Sequence, residues 1–248
     1  MNETKKIITS ITVIYDILFM VLLLALILLM ILLPIQYFGW FLINLIGIIS
    51  IIPLYFWSLE HERFEKKYGK EKGDKITLIF GLISSEFFFL FWIGIWISPQ
   101  PKFLIMILQD YQFIVPIINF KIYLIHLIIA LPFLILGAWI PLIAINKMSI
   151  EVAETHKPNE VITTGMYSYI RHPQYFGGLL AHIGISILIP ALFSLIITPI
   201  VFLIIFFMTN KEEKELVKEF GEIYEKYKEQ VPMLIPFIKR NRKNRSIL

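Results

Sequence analysis

Residues 163–180 read Thr-Thr-Gly-Met-Tyr-Ser-Tyr-Ile-Arg-His-Pro-Gln-Tyr-Phe-Gly-Gly-Leu-Leu, and they lie between two strongly apolar regions. This first polar cluster brings Arg171, His172 and three tyrosines together within a few residues. A second polar cluster, residues 211–215, reads Lys-Glu-Glu-Lys-Glu and follows the next apolar block. Because each cluster borders an apolar block, we expect the two to meet at a membrane surface and bind one polar cofactor there.

The composition is that of a membrane protein. The 248 residues are 57% hydrophobic and only 17% charged, with a mean hydropathy of +0.74, whereas soluble domains carry about 25% charged residues. Cysteine is absent, which excludes disulfides, thiolate metal sites and cysteine nucleophiles. The net charge of +4 is modest and gives no support for nucleic-acid binding.

Apolar runs predict the membrane helices, since about 20 apolar residues are needed to cross the hydrocarbon core. Four spans are predicted, at residues 8–33, 35–57, 76–97 and 122–145. Residues 175–208 are predicted to form a helical hairpin that breaks at Pro190, and residues 98–121 an interfacial or re-entrant stretch. The predicted fold class is therefore all-α, a polytopic membrane helix bundle of about six membrane helices.

The distribution of basic residues predicts the orientation. With these spans, the N-terminus, a solvated loop at residues 59–75, segment 146–174 and the C-terminal region share one side of the membrane. All Lys and Arg residues except Lys102 and Lys121 lie on that side. Since positive residues accumulate in cytoplasmic segments, both termini are predicted to be cytoplasmic.

Residues 210–231 predict a cytoplasmic amphipathic helix, because apolar side chains recur there at helical spacing. Those side chains are Leu216, Phe220, Ile223, Tyr224, Tyr227 and Val231. The spacing places Glu212 and Glu213 above the apolar stripe, at the end nearest the membrane. The pattern leaves two interpretations open: solvated charges on a surface helix, or two carboxylates beside a cationic or hydroxylated ligand.

The Arg-His-Pro sequence at residues 171–173 predicts a helix entrance at the cytoplasmic interface. Proline disfavours helical geometry in the residue before it and is suited to the first turn of a helix. Arg171 offers a planar fork of donors for a carboxylate, and His172 offers a donor or acceptor near neutral pH. Gly177 and Gly178 allow close approach of a ligand or of a neighbouring helix. The alternative interpretation is that the arginine and tyrosine side chains form an interfacial belt and that the glycine pair only packs against a neighbouring helix.

Glu86, His126 and His182 are ionisable residues within the predicted membrane segments. Such residues are costly in hydrocarbon and are often functional, although helix–helix hydrogen bonding is the simpler interpretation for each. The sequence contains no Gly-x-Gly fingerprint and no His-x-x-x-His or His-Glu-x-x-His pair. It therefore predicts neither a dinucleotide-binding loop nor a metal site.

Two spaced patterns carry a resemblance to a known family. The first is Thr164-Gly165-x-Tyr167-x-x-x-Arg171-His172-Pro173-x-Tyr175-x-Gly177, and the second is Glu212-Glu213-x-x-Leu216-x-x-x-Phe220-Gly221-x-x-Tyr224-x-x-Tyr227-x-x-x-Val231-Pro232. Together they resemble the isoprenylcysteine carboxyl methyltransferases, within the wider group that includes phospholipid N-methyltransferases. The resemblance covers roughly residues 160–238, and the first 150 residues share only their membrane helices.

The resemblance implies an enzyme that uses S-adenosylmethionine (SAM) at the cytoplasmic surface and a lipid-bearing acceptor that enters from the bilayer. It implies cofactor contacts from Val161, Ile162, Tyr167, His172, Glu212 and Glu213, and catalytic roles for Arg171, His172 and Glu213. Arg171 would order the site. Residues 1–150 would then be N-terminal membrane helices, and residues 151–248 the SAM-binding core with the hairpin and the amphipathic helix.

One difference from the family pattern affects which methyl acceptor is expected. Isoprenylcysteine enzymes typically have an arginine just before the glutamate pair, whereas here residues 206–210 read Phe-Phe-Met-Thr-Asn and only Lys211 follows. A prenylcysteine-type carboxylate is the favoured acceptor, with an amine on a lipid head group as an alternative. A membrane reductase that uses NADPH, or a non-catalytic transport or binding protein, are the competing classes.

Overall fold

The structure is a computed structural model that describes residues 3–33, 37–107, 111–116, 120–146 and 160–236. Its elements, in chain order, are α1 Glu3–Leu32, α2 Tyr37–Ser58, α3 His61–Tyr68, α4 Lys70–Ile97, β1 Gln112–Val115, β2 Phe120–Tyr123, α5 Leu124–Ile145, a 3₁₀ turn Gly165–Ser168, α6 Pro173–Leu188, α7 Leu192–Ile196, α8 Thr198–Phe220 and α9 Glu222–Gln230. The predicted domain boundary between residues 150 and 151 lies outside the described residues.

The long helices follow the predicted apolar runs. Among the described residues, α2, α4 and α5 are long and apolar enough to cross a membrane, and α1 has a shorter apolar part at residues 17–32. Many large apolar side chains on these helices are exposed, which in water would be unfavourable but in a bilayer places them against lipid. The protein is thus an integral membrane protein with a helical body.

Residues 59–75 were predicted as a loop, but residues 61–68 form α3 and residues 70–75 form the first turns of α4. Lys and Glu are good helix formers, and pairs four residues apart support both helices. Lys66 Nζ lies 2.5 Å from Glu62 Oε1, and Lys75 Nζ lies 2.8 Å from Glu71 Oε1. The polar composition that suggested a loop is therefore that of solvated helices.

The all-α prediction is wrong in one detail. Strands β1 and β2 pair antiparallel, with Gln112 opposite Tyr123 and Val115 opposite Phe120. The strand residues are mostly aromatic or β-branched, which suits a short sheet better than a helix. The stretch before β1 packs on the helical hairpin, since Phe103 N donates to Pro190 O at 3.2 Å.

The predicted hairpin is present, with α6 and α8 on either side of residues 189–191 and the short α7 at the turn. Its second arm differs from the prediction, because α8 runs without interruption from Thr198 through the second polar cluster to Phe220. The predicted helix 210–231 is instead divided at Gly221, whose φ of +53° favours glycine. The chain redirects there into α9.

Helices α5 and α6 are in close contact through small residues. A Cβ on Gly177 would overlap Pro141, and one on Gly137 would lie 2.7 Å from the backbone N of Ala181. Gly177 therefore serves helix packing, which is one of the two interpretations open from the sequence. This contact positions the first half of α6, which contains the last residues of the first polar cluster.

The two histidines within the membrane segments, His126 and His182, connect neighbouring helices. His182 Nδ1 accepts hydrogen bonds from Trp92 Nε1 at 2.9 Å and Trp96 Nε1 at 3.0 Å, which join α6 to α4. His126 Nδ1 lies 2.8 Å from Ile187 O, joining α5 to the end of α6. Both histidines therefore have the helix-linking contacts that their positions in membrane segments suggest.

Candidate functional site

The backbone after the 3₁₀ turn pairs with the backbone after α9. Arg171 N donates to Pro232 O at 3.0 Å, and His172 N donates to Met233 O at 3.1 Å. Pro173 then opens α6 at its first turn, as the sequence predicts. The pairing brings the first polar cluster against α8 and α9, so the two polar clusters meet.

Protein groups bind the Arg171 guanidinium at Nε and Nη1. Its Nε donates to Glu213 Oε1 at 2.6 Å, and its Nη1 donates to Lys228 O at 2.8 Å and Val231 O at 2.5 Å. The side chains of Arg171 and Glu213 are only 7% and 4% exposed. The arginine therefore ties the end of α9 to α8 and orders the site around it.

His172 lies between the two glutamates. Its Nε2 is 3.2 Å from Glu213 Oε1, and its Nδ1 is 3.3 Å from Glu212 Oε2. Burial would lower the pKa of His172, but hydrogen bonds to Glu212 and Glu213 outweigh burial and raise it. Burial would raise the pKa of Glu213, but His172 and then Arg171 hold it below its ordinary value.

Two tyrosines form hydrogen bonds with the Glu212 carboxylate. Tyr55 on α2 and Tyr175 on α6 each donate a hydroxyl hydrogen bond to its Oε1, the latter at 2.6 Å. Tyr55 is not among the site residues predicted from the sequence, because it looks like an ordinary aromatic residue near the end of a span. No spacing rule connects it to a carboxylate 157 residues away.

A cavity of about 420 Å³ opens beside these groups. Six of the predicted site residues line it, namely Val161, Ile162, Tyr167, Arg171, His172 and Glu212. Glu213 is not among the lining residues and lies behind His172, where it holds Arg171 and His172 in place. The predicted direct contact of Glu213 with a cofactor therefore has no support from this geometry.

Part of the cavity wall comes from the N-terminal half of the chain. Leu59 and the α3 residues His61, Glu62 and Glu65 line the cavity. Their sequence, a run of charged residues, was predicted to be solvated. Helix α3 lies against α4, and this packing turns one side of α3 toward α8 and α9.

Besides Tyr175, three tyrosines line the cavity, namely Tyr167, Tyr224 and Tyr227. Tyr227 donates to Tyr167 O at 2.6 Å and so fixes the 3₁₀ turn. Burial raises the pKa of Tyr167, Tyr224 and Tyr227, so all three remain neutral. The Tyr167 hydroxyl and the Gln174 Nε2 are buried without a hydrogen-bond partner in the described part of the chain.

The arrangement suits a polar organic ligand. Carboxylate, imidazole and phenol groups share one cavity with apolar side chains such as Leu216 and Phe220, a combination typical of small-molecule sites. Across the described ranges, no group of three or more His, Asp or Glu side chains is placed to hold a metal ion.

Residues 125–223 match the model of a family described as phospholipid methyltransferase. This segment belongs to that family. It contains the first polar cluster, the helical hairpin and the second polar cluster, so the family predicted from the two patterns is confirmed. Tyr55 and α3 lie outside the matched segment.

Curated relatives match part of the chain as well. A methanethiol S-methyltransferase from Crocosphaera subtropica is 40% identical over 83 residues, which are 34% of this chain and 32% of that relative. A protein-S-isoprenylcysteine O-methyltransferase from Schizosaccharomyces pombe is 32% identical over 128 residues, 49% of this chain and 54% of the relative. The human protein-S-isoprenylcysteine O-methyltransferase is 33% identical over 90 residues, 36% of this chain and 31% of the relative.

The chain thus matches between about a third and about a half of the length of these relatives. No solved structure matches the chain.

Proposed function

We propose that the protein is a SAM-dependent methyltransferase that acts on a lipid-bearing acceptor at the cytoplasmic surface of the membrane. The observation that carries the proposal is the main-chain pairing of Arg171 and His172 with Pro232 and Met233. This pairing assembles residues from both family patterns around a single cavity. We further propose that α6 and α8 cross the membrane as the hairpin, which gives six membrane helices with both termini cytoplasmic.

The residues present fit SAM. The cofactor carries an ammonium group, a carboxylate, a ribose diol and a sulfonium, and it supplies the methyl group. Glu212 suits the cationic or hydroxyl groups, and Tyr167 and His172 supply further polar contacts. The backbone of Val161 and Ile162 borders the cavity where the resemblance places the adenosine. The cavity volume of about 420 Å³ is also in the range of small-molecule sites.

A prenylcysteine-type carboxylate is the first candidate acceptor. It is supported by the isoprenylcysteine relatives, one of which matches 49% of this chain. An ionised carboxylate needs no general base, so Arg171, His172 and the glutamates would act by positioning and electrostatics. The lack of an arginine just before the glutamate pair counts against this candidate, because that arginine would suit the carboxylate of the acceptor.

A neutral thiol is the second candidate, and one contact favours it. Lys211, the cation nearest the missing arginine, lies 2.9 Å from Glu60 Oε1 and 3.0 Å from Glu215 Oε1. With its ammonium paired in this way, Lys211 is poorly placed to bind a substrate carboxylate. A methanethiol S-methyltransferase is among the relatives, and a neutral acceptor needs no cationic partner, although it needs a base to take its proton.

The test is SAM binding to the purified protein in detergent, measured by calorimetry with NADPH as the comparator. We expect saturable SAM binding that weakens tenfold or more in Glu212→Gln and His172→Ala. Glu222→Gln is the matched control, since that side chain is 85% exposed. Binding of NADPH alone would replace the proposal with a reductase, and equal SAM affinity in all variants would refute the site.

A second assay distinguishes the acceptors. Formation of S-adenosylhomocysteine is followed with a prenylcysteine, with methanethiol and with an aminophospholipid in turn. Turnover with the prenylcysteine alone would support the carboxylate candidate, and turnover with methanethiol alone would support the thiol.

A further inference from the structure

Tyr55 reaches the candidate site from a part of the chain that the family match does not include. It lies on α2, whereas the matched segment begins at residue 125. Its hydroxyl donates to Glu212 Oε1, the oxygen that also accepts from Tyr175. The two tyrosine hydroxyls are 2.6 Å apart. A single carboxylate oxygen is therefore held by groups from two different helices.

Tyr55 stands behind Glu212 and not in the cavity. Its side chain is 5% exposed and packs in the main apolar core with Leu59 and Met208. Glu212 and Tyr175 line the cavity, but Tyr55 does not. Any effect of Tyr55 on a ligand must consequently pass through the residues that it touches.

The contact fixes the orientation of Glu212. Both hydroxyls act on Oε1, and Oε2 lies 3.3 Å from His172 Nδ1. Hydrogen bonds to an ionised carboxylate are among the stronger ones in proteins. A carboxylate held in this way presents a fixed charge to the cavity, and binding then costs less ordering of the side chain.

We propose that Tyr55 is a positioning residue that holds Glu212 in the orientation that receives a polar group of SAM. The N-terminal half of the chain thereby completes the site, although sequence comparison places the family domain in the C-terminal half. The inference rests on the proposed function, because it concerns the affinity for SAM.

The experiment is a double-mutant cycle on SAM binding in detergent, with Tyr55→Phe, Glu212→Gln and the double variant. Tyr68→Phe is the matched control, because Tyr68 is exposed on α3 and does not line the cavity. We expect Tyr55→Phe to weaken SAM binding about tenfold. In the Glu212→Gln background the same change should have less than about a twofold effect, since its partner is already altered.

Turnover separates positioning from a general loss of structure. At saturating SAM, Tyr55→Phe should regain at least about half of the wild-type rate, because the defect lies in affinity. A lower saturated rate together with equal fold-losses in both backgrounds would identify a purely structural role and overturn the inference.

The same binding measurements separate a failure of the proposed function from a failure of the inference about Tyr55. A wild-type protein that binds no SAM would overturn the proposed function, and the inference with it. A wild-type protein that binds SAM, with Tyr55→Phe no weaker than Tyr68→Phe, would overturn the inference alone.

Discussion

Arg171 Nε lies 2.6 Å from Glu213 Oε1, and both side chains are almost completely buried. The two residues are 42 positions apart in the chain, yet this contact joins the two polar clusters. The same guanidinium also binds the carbonyls of Lys228 and Val231. Arg171 therefore fixes the backbone around the cavity, and the catalytic role predicted for it becomes a positioning role in our proposal.

Arg171→Met should destabilise the protein by about 3–5 kcal/mol, because it removes the cationic group nearest to the buried Glu213. The measurement is the apparent Tm in detergent. Lys75→Met is the control, since the Lys75–Glu71 pair is 67% and 84% exposed and should contribute little to stability. Equal melting of the two variants would contradict the anchoring role of Arg171.

The stability of the site should depend on pH through His172 and Glu213. The pKa of His172 is raised from its ordinary 6.5, so its contribution is complete below about pH 6.5 and is lost as pH rises through the raised value. The pKa of Glu213 is lowered from 4.5, so its contribution is complete above about pH 4.5 and is lost as pH falls through the lowered value.

The check is the apparent Tm between about pH 4 and pH 9 for the wild type and His172→Gln. Above about pH 6.5 the wild-type Tm should fall more steeply than that of the variant, because only the wild type loses a proton from residue 172. Parallel curves over that range would show that His172 carries no such linkage.

Gly177 and Gly178 should respond differently to alanine. A Cβ on Gly177 would overlap the ring of Pro141 on α5, whereas a Cβ on Gly178 would lie 3.5 Å from Trp92 Cη2, an ordinary contact. Gly177→Ala should therefore cost about 1–3 kcal/mol. Gly178→Ala should be close to neutral in thermal unfolding in detergent, and a larger loss at Gly178 would refute the α5–α6 packing described above.

Gly221→Ala should weaken both stability and SAM binding. Gly221 has φ +53° and ψ −130° at the junction of α8 and α9, and an L-residue there is strained by about 1–3 kcal/mol. The strain does not come from a steric clash, because a Cβ at residue 221 would have no neighbouring atom within 4 Å. Calorimetry and apparent Tm together test this, and a variant with unchanged Tm would show that the junction tolerates side chains.

The sequence by itself determined the helical membrane body and the place of the site along the chain. Apolar runs of sufficient length must be helical in a bilayer, and so α1, α2, α4 and α5 follow from composition. The spacing around Arg171 and around Glu212 identified both clusters and their family. These are local properties, which depend on residues close together in sequence.

The tertiary structure alone decided which side chains meet. Periodicity did not distinguish Glu212, which lines the cavity, from Glu213, which lies behind it. Nor did it place Tyr55 beside Glu212, or turn α3 toward the cavity. The physical reason is that hydrogen bonds between distant residues depend on how helices pack, and packing depends on the shapes of many side chains together.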